Sequence, residues 1–187
     1  RQPGELLVLA RVGIGLGDLG PELAGVPLDF DRLLERHAQA HGAIFNRCRL
    51  DLGGGADRGL PTEDLLARAR EGAVPAALLE KQFDAGRYAI LCSSGERFPN
   101  LQGIWSGTWG PPWSGDFTMN GNVQSALAAN LSANMAECLL PYFDFLESHL
   151  AEFRDNARRL YGCRGIQVPS RASTHGWNNH FDATWPM

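Results

Sequence analysis

Asn122-Val123-Gln124-Ser125-Ala126-Leu127 opens the stretch that decides the fold class. From there Val123, Leu127, Leu131, Met135 and Cys138 recur at the spacing of one helix face, among alanines that permit close helix packing. Pro141 punctuates. Residues 142–161 then repeat the period with Phe145, Leu146, Leu150, Phe153, Ala157 and Leu160, and Gly162 supplies a natural stop. The pattern predicts two long helices and a mainly α fold.

Further toward the N-terminus, the helical period also holds between about residues 62 and 91. Thr62 is a suitable N-cap, with Glu63 and Asp64 in the first turn, where the helix dipole favours negative charge. Pro75 fits the first position of a further helix carrying Leu78, Leu79, Phe83, Tyr88 and Leu91. Residues 47–52 alternate instead, with Cys48, Leu50 and Leu52 against Arg47, Arg49 and Asp51. That predicts a strand ended by Gly53-Gly54-Gly55. Asp29 or Asp31 caps a predicted helix to about Asn46, with Leu33, Leu34, His37, His41 and Phe45 near one stripe. Residues 5–15 alternate as a strand, and a Gly- and Pro-rich loop follows to residue 27.

Composition narrows the function classes. The 187 residues carry 17 Lys plus Arg against 21 Asp plus Glu, a formal charge of -4, which gives no reason to propose nucleic acid as a partner. No apolar run is long enough to insert into a membrane. The four cysteines, Cys48, Cys92, Cys138 and Cys163, lack metal-type spacing; spacing leaves a disulfide between two of them open, and the favoured reading is buried free thiols on helices. His37 and His41 lie four apart, but Ala38-Gln39-Ala40 lacks the glutamate of the zinc-protease motif, so they read as a half-buried helix face. The ends, Arg1-Gln2-Pro3-Gly4 and Trp185-Pro186-Met187, read as cuts from something longer.

Chemistry concentrates where the periodicity vanishes, between Cys92 and Met119. Three of the five tryptophans lie there, including Trp105 and Trp113, beside Asn100 and Gln102. A long irregular segment in a compact protein is usually functional. Indole faces suit the C–H face of a pyranose and amides suit its hydroxyls. The same tryptophans could instead wedge the loop onto the core. Asn120 and Asn122, two apart at a loop-to-helix junction, point to the same side of an extended stretch and could hold a water between two amides. An amide is no base, so a carboxylate would have to take the proton; alternatively one asparagine simply caps the helix. The segment from Ser173 to Asp182 is dense in polar and aromatic groups: His175 or Asp182 could join a site, and Trp177 could stack on a sugar.

The order of these motifs resembles glycoside hydrolase family 95, the α-L-fucosidases, some of which act on α-L-galactosides. The resemblance rests on Phe83-Asp84-Ala85-Gly86-Arg87-Tyr88, Asn100-Leu101-Gln102-Gly103-Ile104-Trp105, Pro112-Trp113, Asn120-Gly121-Asn122-Val123-Gln124, Asn134-Met135-Ala136-Glu137-Cys138 and Tyr161-Gly162-Cys163-Arg164-Gly165. It covers roughly residues 30–168. It implies a mainly α fragment of an (α/α)6 barrel: residues 1–27 as the end of an N-terminal β-domain, 28–74 as linker helices and strand, and 75–187 as the first part of the catalytic domain.

The implied activity is inverting exo-hydrolysis of a terminal α-L-fucosyl residue on an oligosaccharide or glycoconjugate, with no cofactor, no metal and an extracytoplasmic or secreted setting. Asn120 and Asn122 match the pair that positions the attacking water. Trp105, Trp113, Gln102, His175 and Trp177 are the substrate-binding candidates. The acid glutamate and the polarising aspartate lie beyond Met187 in the family, so this chain alone is expected to be inactive. After Gln124 the family's usual Met-Asn-Tyr-Trp-Pro-Ala-Glu is replaced by Ser125-Ala126-Leu127-Ala128-Ala129-Asn130-Leu131. Past Gly165, Pro169-Ser170-Arg171-Ala172-Ser173 stands in place of a His-His-Asn-Thr-Asp stretch. These departures support the alternative, a non-catalytic sugar-binding or structural toroid descended from such an enzyme. A third reading is an interaction module built from the helices of residues 122–161.

Overall fold

The computed structural model describes residues 29–105 and 107–178, so the expected strand at 5–15, the loop up to residue 27, the β-domain remnant at 1–27 and Asp182 lie outside the described residues. The chain divides into two compact units, residues 1–46 and 47–187. In the first, helix α1 (Phe30–Phe45) begins as expected. The Asp29 carboxylate accepts from the N–H of Asp31 and Arg32, two of the donors that a helix start leaves unpaired. Along α1 the His37, His41 and Phe45 rings stack, with centroids 5.8 and 5.1 Å apart, but His37 is exposed and no residue of the helix is buried, so the expected half-buried histidine pair is met only at His41.

The second unit is built from helices α2 (Thr62–Arg70), α3 (Ala76–Ser93), α4 (Asn122–Leu127), α5 (Leu140–Ser148) and α6 (Leu150–Tyr161), with three short 3-10 turns and one two-stranded sheet. Thr62 is the first residue of α2 rather than its cap; Pro61 holds the cap position and makes no side-chain bond there. Pro75 likewise caps α3 from just outside.

Residues 47–52 do not form the expected strand. The segment is irregular, with no ladder, and polar side chains of α3 take up its backbone groups. Glu80 accepts from the N–H of Leu52 (2.6 Å) and Gly54 (3.0 Å), Lys81 donates to the Leu60 carbonyl, and Arg87 donates to that of Cys48 (2.7 Å). Glu80 and Arg87 are buried, so this face of α3 is a polar spine that replaces a neighbouring strand. Leu79 and Tyr88, expected on the apolar stripe, are exposed instead.

The long helix expected from residue 122 is interrupted. α4 stops at Leu127, and the chain winds on in turns that close at Asn134 (φ 55). There Met135 N–H reaches the Asn130 carbonyl and Asn134 N–H that of Leu131, the paired closure of a Schellman end with asparagine in the left-handed position. Val123, Leu127, Met135 and Cys138 are buried as the period predicted, but Leu131 is exposed. The second expected helix is also two. At the break, the Phe145 carbonyl accepts from the backbone N–H, the ring Nδ1–H of His149 and the Ser148 hydroxyl, so side chains compete with the regular ladder. α6 does end at Gly162 (φ 64). All four cysteines are free, but only Cys138 is buried, and Cys48 and Cys163 lie outside helices.

The larger core brings Phe98, Met119, Val123, Leu127, Phe145, Phe153 and Ala172 together. Its centre is aromatic: Phe98 meets Phe117 at 4.4 Å and packs edge-on to Tyr142 and Phe145 at 5.4 and 5.3 Å. Each such ring contributes about 1.5–3 kcal/mol when fully buried. Because Phe117, Met119 and Val123 flank Asn120 and Asn122 in sequence, this core fixes the backbone that carries both asparagines.

Candidate functional site

The site is built on two short strands, β1 (Phe117–Thr118) and β2 (Arg171–Ala172), paired antiparallel with Phe117 opposite Ala172 and Thr118 opposite Arg171. The pairing continues one bond further, Met119 N–H to the Ser170 carbonyl at 2.7 Å, directly before Asn120. Gly121 then takes φ 133, which a side chain would disfavour, and turns the chain into α4.

Neither asparagine caps α4. Gln124 does that work: its Oε1 accepts the Gly121 N–H at 3.0 Å, and its Nε2 donates to the Met119 carbonyl (2.7 Å) and the Tyr142 hydroxyl (3.1 Å). Asn120 and Asn122 are exposed, and their side-chain amides have no partner among the described residues. The local alternative, an asparagine spent on the cap, is thereby excluded.

Asp116 anchors the tryptophan loop. Its carboxylate pairs with the Arg171 guanidinium and accepts from the Thr118 hydroxyl (2.7 Å), while its carbonyl accepts from Leu101 N–H. Arg171 also donates to the Trp113 carbonyl at 2.7 Å. Between these ties, Trp113 (φ 53) and Ser114 (φ 58) sit in the left-handed region, a strained conformation for residues with side chains. Trp113 is 56% exposed, so the strain does not serve core packing.

Gln102 donates through Nε2 to the Pro112 carbonyl and through its backbone to the Asn100 side chain, so it braces the loop. Trp105 leans on the same loop: a Cβ at Gly103 would lie 2.9 Å from its ring. Gln102 therefore braces the loop, while Trp105 and Trp113 are exposed to the same extent.

His175 and Trp177 line a cleft of about 270 Å3 with Ser114, Asp116, Phe117 and Arg171. Asn120, Asn122, Trp105, Trp113 and Gln102 do not line it, so the structure brings the seven candidates together in part. The cleft wall is held by Asn156, buried on α6, whose amide donates to the carbonyls of Gln167 and Gly176 and accepts from Asn178 N–H. Glu152 accepts from Gly176 N–H, and Arg159 lies 5.9 Å from the Trp177 ring centroid, within reach of a cation–π contact. Asp116, Arg171 and Asn156 are the residues that sequence reading missed. For Asn156 a signal existed: a polar residue between Phe153 and Ala157 on the apolar stripe of a helix. Among the described residues no group of three His, Cys, Asp or Glu side chains could hold a metal ion, and no helix is long and apolar enough to cross a membrane.

Residues 29–187 match the sequence profile of the glycosyl hydrolase family 95 catalytic domain. Alpha-L-fucosidase 2 of Arabidopsis thaliana is 32% identical over 143 residues, covering 73% of this chain and 17% of the relative. Probable alpha-fucosidase A of Aspergillus niger is 31% identical over 157 residues, 81% of this chain and 18% of the relative. The chain thus spans less than a fifth of the length of either.

Proposed function

Because the chain belongs to glycosyl hydrolase family 95, as a mainly helical part of its (α/α)6-barrel catalytic domain, we propose that it supplies the water-positioning half of an inverting exo-α-L-fucosidase site. The whole protein would remove a terminal α-L-fucosyl residue, or a related α-L-sugar, from an oligosaccharide or glycoconjugate. The observation that carries this reading is the pair of exposed, unspent amides of Asn120 and Asn122 on a backbone locked by Gln124 and the β1–β2 pairing. Two amides on a backbone held in place can orient a water by accepting its proton and donating to its lone pairs. An inverting mechanism then needs a carboxylate to take the proton and an acid on the opposite face of the sugar, with room between them for the water. Both would come from further along the parent protein.

Trp113 and Trp105 offer exposed indole faces, while Gln102 holds the loop that presents them. His175 and Trp177 would meet the part of the substrate that enters the adjoining cleft. Asn120→Ala and Asn122→Ala in the full-length protein should each lower kcat on an aryl α-L-fucoside by about 10²–10⁴-fold, the usual share of positioned proton transfer, with KM little changed. Wild-type kcat in both variants would remove the asparagines from the mechanism. A full-length protein that binds L-fucose without cleaving fucosides would favour the non-catalytic toroid.

A further inference from the structure

We propose that a second cleft, at the C-terminal end of α6, is a binding site for a sugar unit bearing a sulfate or carboxylate. This cleft has a volume of about 490 Å3 and shares no lining residue with the cleft of His175 and Trp177. Arg154, Arg158 and Arg164 line it together with Ile166 and the turn of residues 162–165. Arg158 is paired with Asp155, but Arg154 and Arg164 have no carboxylate partner among the described residues. Arg154 and Arg158 stand four apart on one helix face, and Asp155, shared between Arg158 and Arg159, neutralises only part of the charge there. They do so on a chain whose formal charge is -4.

The backbone adds donors. Arg164, Gly165 and Ile166 have N–H groups with no partner among the described residues. Gly162 (φ 64) and Gly165 (φ 148) hold this turn in conformations that side chains disfavour, and a Cβ at either would meet open space. Glycine is therefore needed here for the path of the chain, not for want of room. The α6 dipole places about half a negative charge at this end. Two unpaired guanidiniums and three free N–H groups outweigh it, so the cleft favours an anion.

Its size selects the carrier. The cleft falls in the range of small-molecule sites, roughly 300–1,000 Å3, and far exceeds a bare tetrahedral ion. Guanidiniums grip sulfate or carboxylate through two parallel N–H bonds, while their aliphatic stems and the exposed Ile166 suit the C–H face of a sugar ring. The choice of a sugar as carrier rests on the hydrolase reading above; the demand for an anion does not.

Calorimetric titration of the full-length protein with galactose 6-sulfate, galacturonic acid, galactose and sodium sulfate tests this, alongside hydrolysis of a neutral fucoside. The two acidic sugars should bind at least about tenfold more tightly than galactose or sulfate, and Arg154→Ser/Arg164→Ser should weaken them by about tenfold or more. Both positions are exposed, so the double variant should melt like the wild type and hydrolyse the neutral fucoside at the wild-type rate. Unchanged binding in the double variant, or galactose binding as well as its sulfate, overturns the site. Sulfate binding as tightly as galactose 6-sulfate overturns the sugar assignment. Acid-sugar binding without fucoside hydrolysis supports the anion site and counts against the hydrolase reading instead.

Discussion

Two polar assemblies in the second unit make opposite use of similar groups. Around Glu80 every charge is spent inward. Its carboxylate takes two backbone N–H groups and Arg58 (2.7 Å), Arg58 reaches on to Asp84 (3.0 Å) and the Leu50 carbonyl, and Glu80 itself is fully buried. Around Asn120 the bonds belong to the supports, Gln124, Asp116 and Arg171, while the asparagines and Trp113 are left exposed. The first arrangement fastens an irregular segment to a helix. The second leaves two amides and an indole exposed, which is the arrangement the proposed site rests on. A buried polar group that is fully satisfied belongs to architecture; an exposed one held still by satisfied neighbours is available for a ligand.

The largest expected effect tests whether the floor beneath the asparagines is as firm as the Glu80 assembly. Phe153→Ala empties a fully buried position beside Phe145 in the larger core and should cost about 3–5 kcal/mol in urea denaturation. A loss near zero would mean that the site floor is not a packed core. Next is Gly54, where an added Cβ would lie 2.8 Å from the Ala77 backbone and collide with the Glu80 carboxylate. Gly54→Ala should cost about 1–3 kcal/mol, whereas Gly59→Ala, with open space around it, should be close to neutral. Equal effects at the two glycines would dissolve the claim that the Glu80 assembly is tightly fitted.

A pH titration distinguishes the two assemblies further. The N–H groups of Leu52 and Gly54, and then Arg58, hold the Glu80 carboxyl below its ordinary value of 4.5. A depressed folded-state pKa contributes stability that is fully present above the unfolded value and is lost as pH falls through the folded one. Glu80→Gln should therefore be less stable than the wild type at neutral pH, and the gap in denaturation midpoint should narrow as pH drops below 4.5. A constant gap would contradict the charged hub. The smallest effect has the opposite sign. Ser114→Gly should stabilise the protein by roughly 1 kcal/mol by relieving the left-handed backbone, and leave the Glu80 assembly untouched.

Much of the helical frame was legible in the sequence because caps and period are local. Asp29, Pro75 and Gly162 mark ends that the structure keeps to within a residue. The breaks at residues 128–134 and at His149 were not, since each depends on which carbonyl a neighbouring side chain reaches after folding. The alternation at residues 47–52 was real but misleading. A strand needs a partner ladder, and here the partners are side chains of α3 some 28 to 39 positions away. Asn120 and Asn122 stood out as paired amides at a junction, yet their freedom hinges on Gln124 taking over the cap, which spacing alone does not reveal. Trp105 and Trp113 looked alike in sequence and are alike in exposure; only the left-handed backbone at Trp113 sets the two apart.

The central claim is that these two amides hold the water that attacks a fucosyl carbon from the face opposite the leaving group. Proton NMR of an aryl α-L-fucoside during hydrolysis by the full-length protein tests it most directly. The account predicts that β-L-fucose appears first and mutarotates only later. α-L-Fucose as the first product, or no hydrolysis at all, would contradict it.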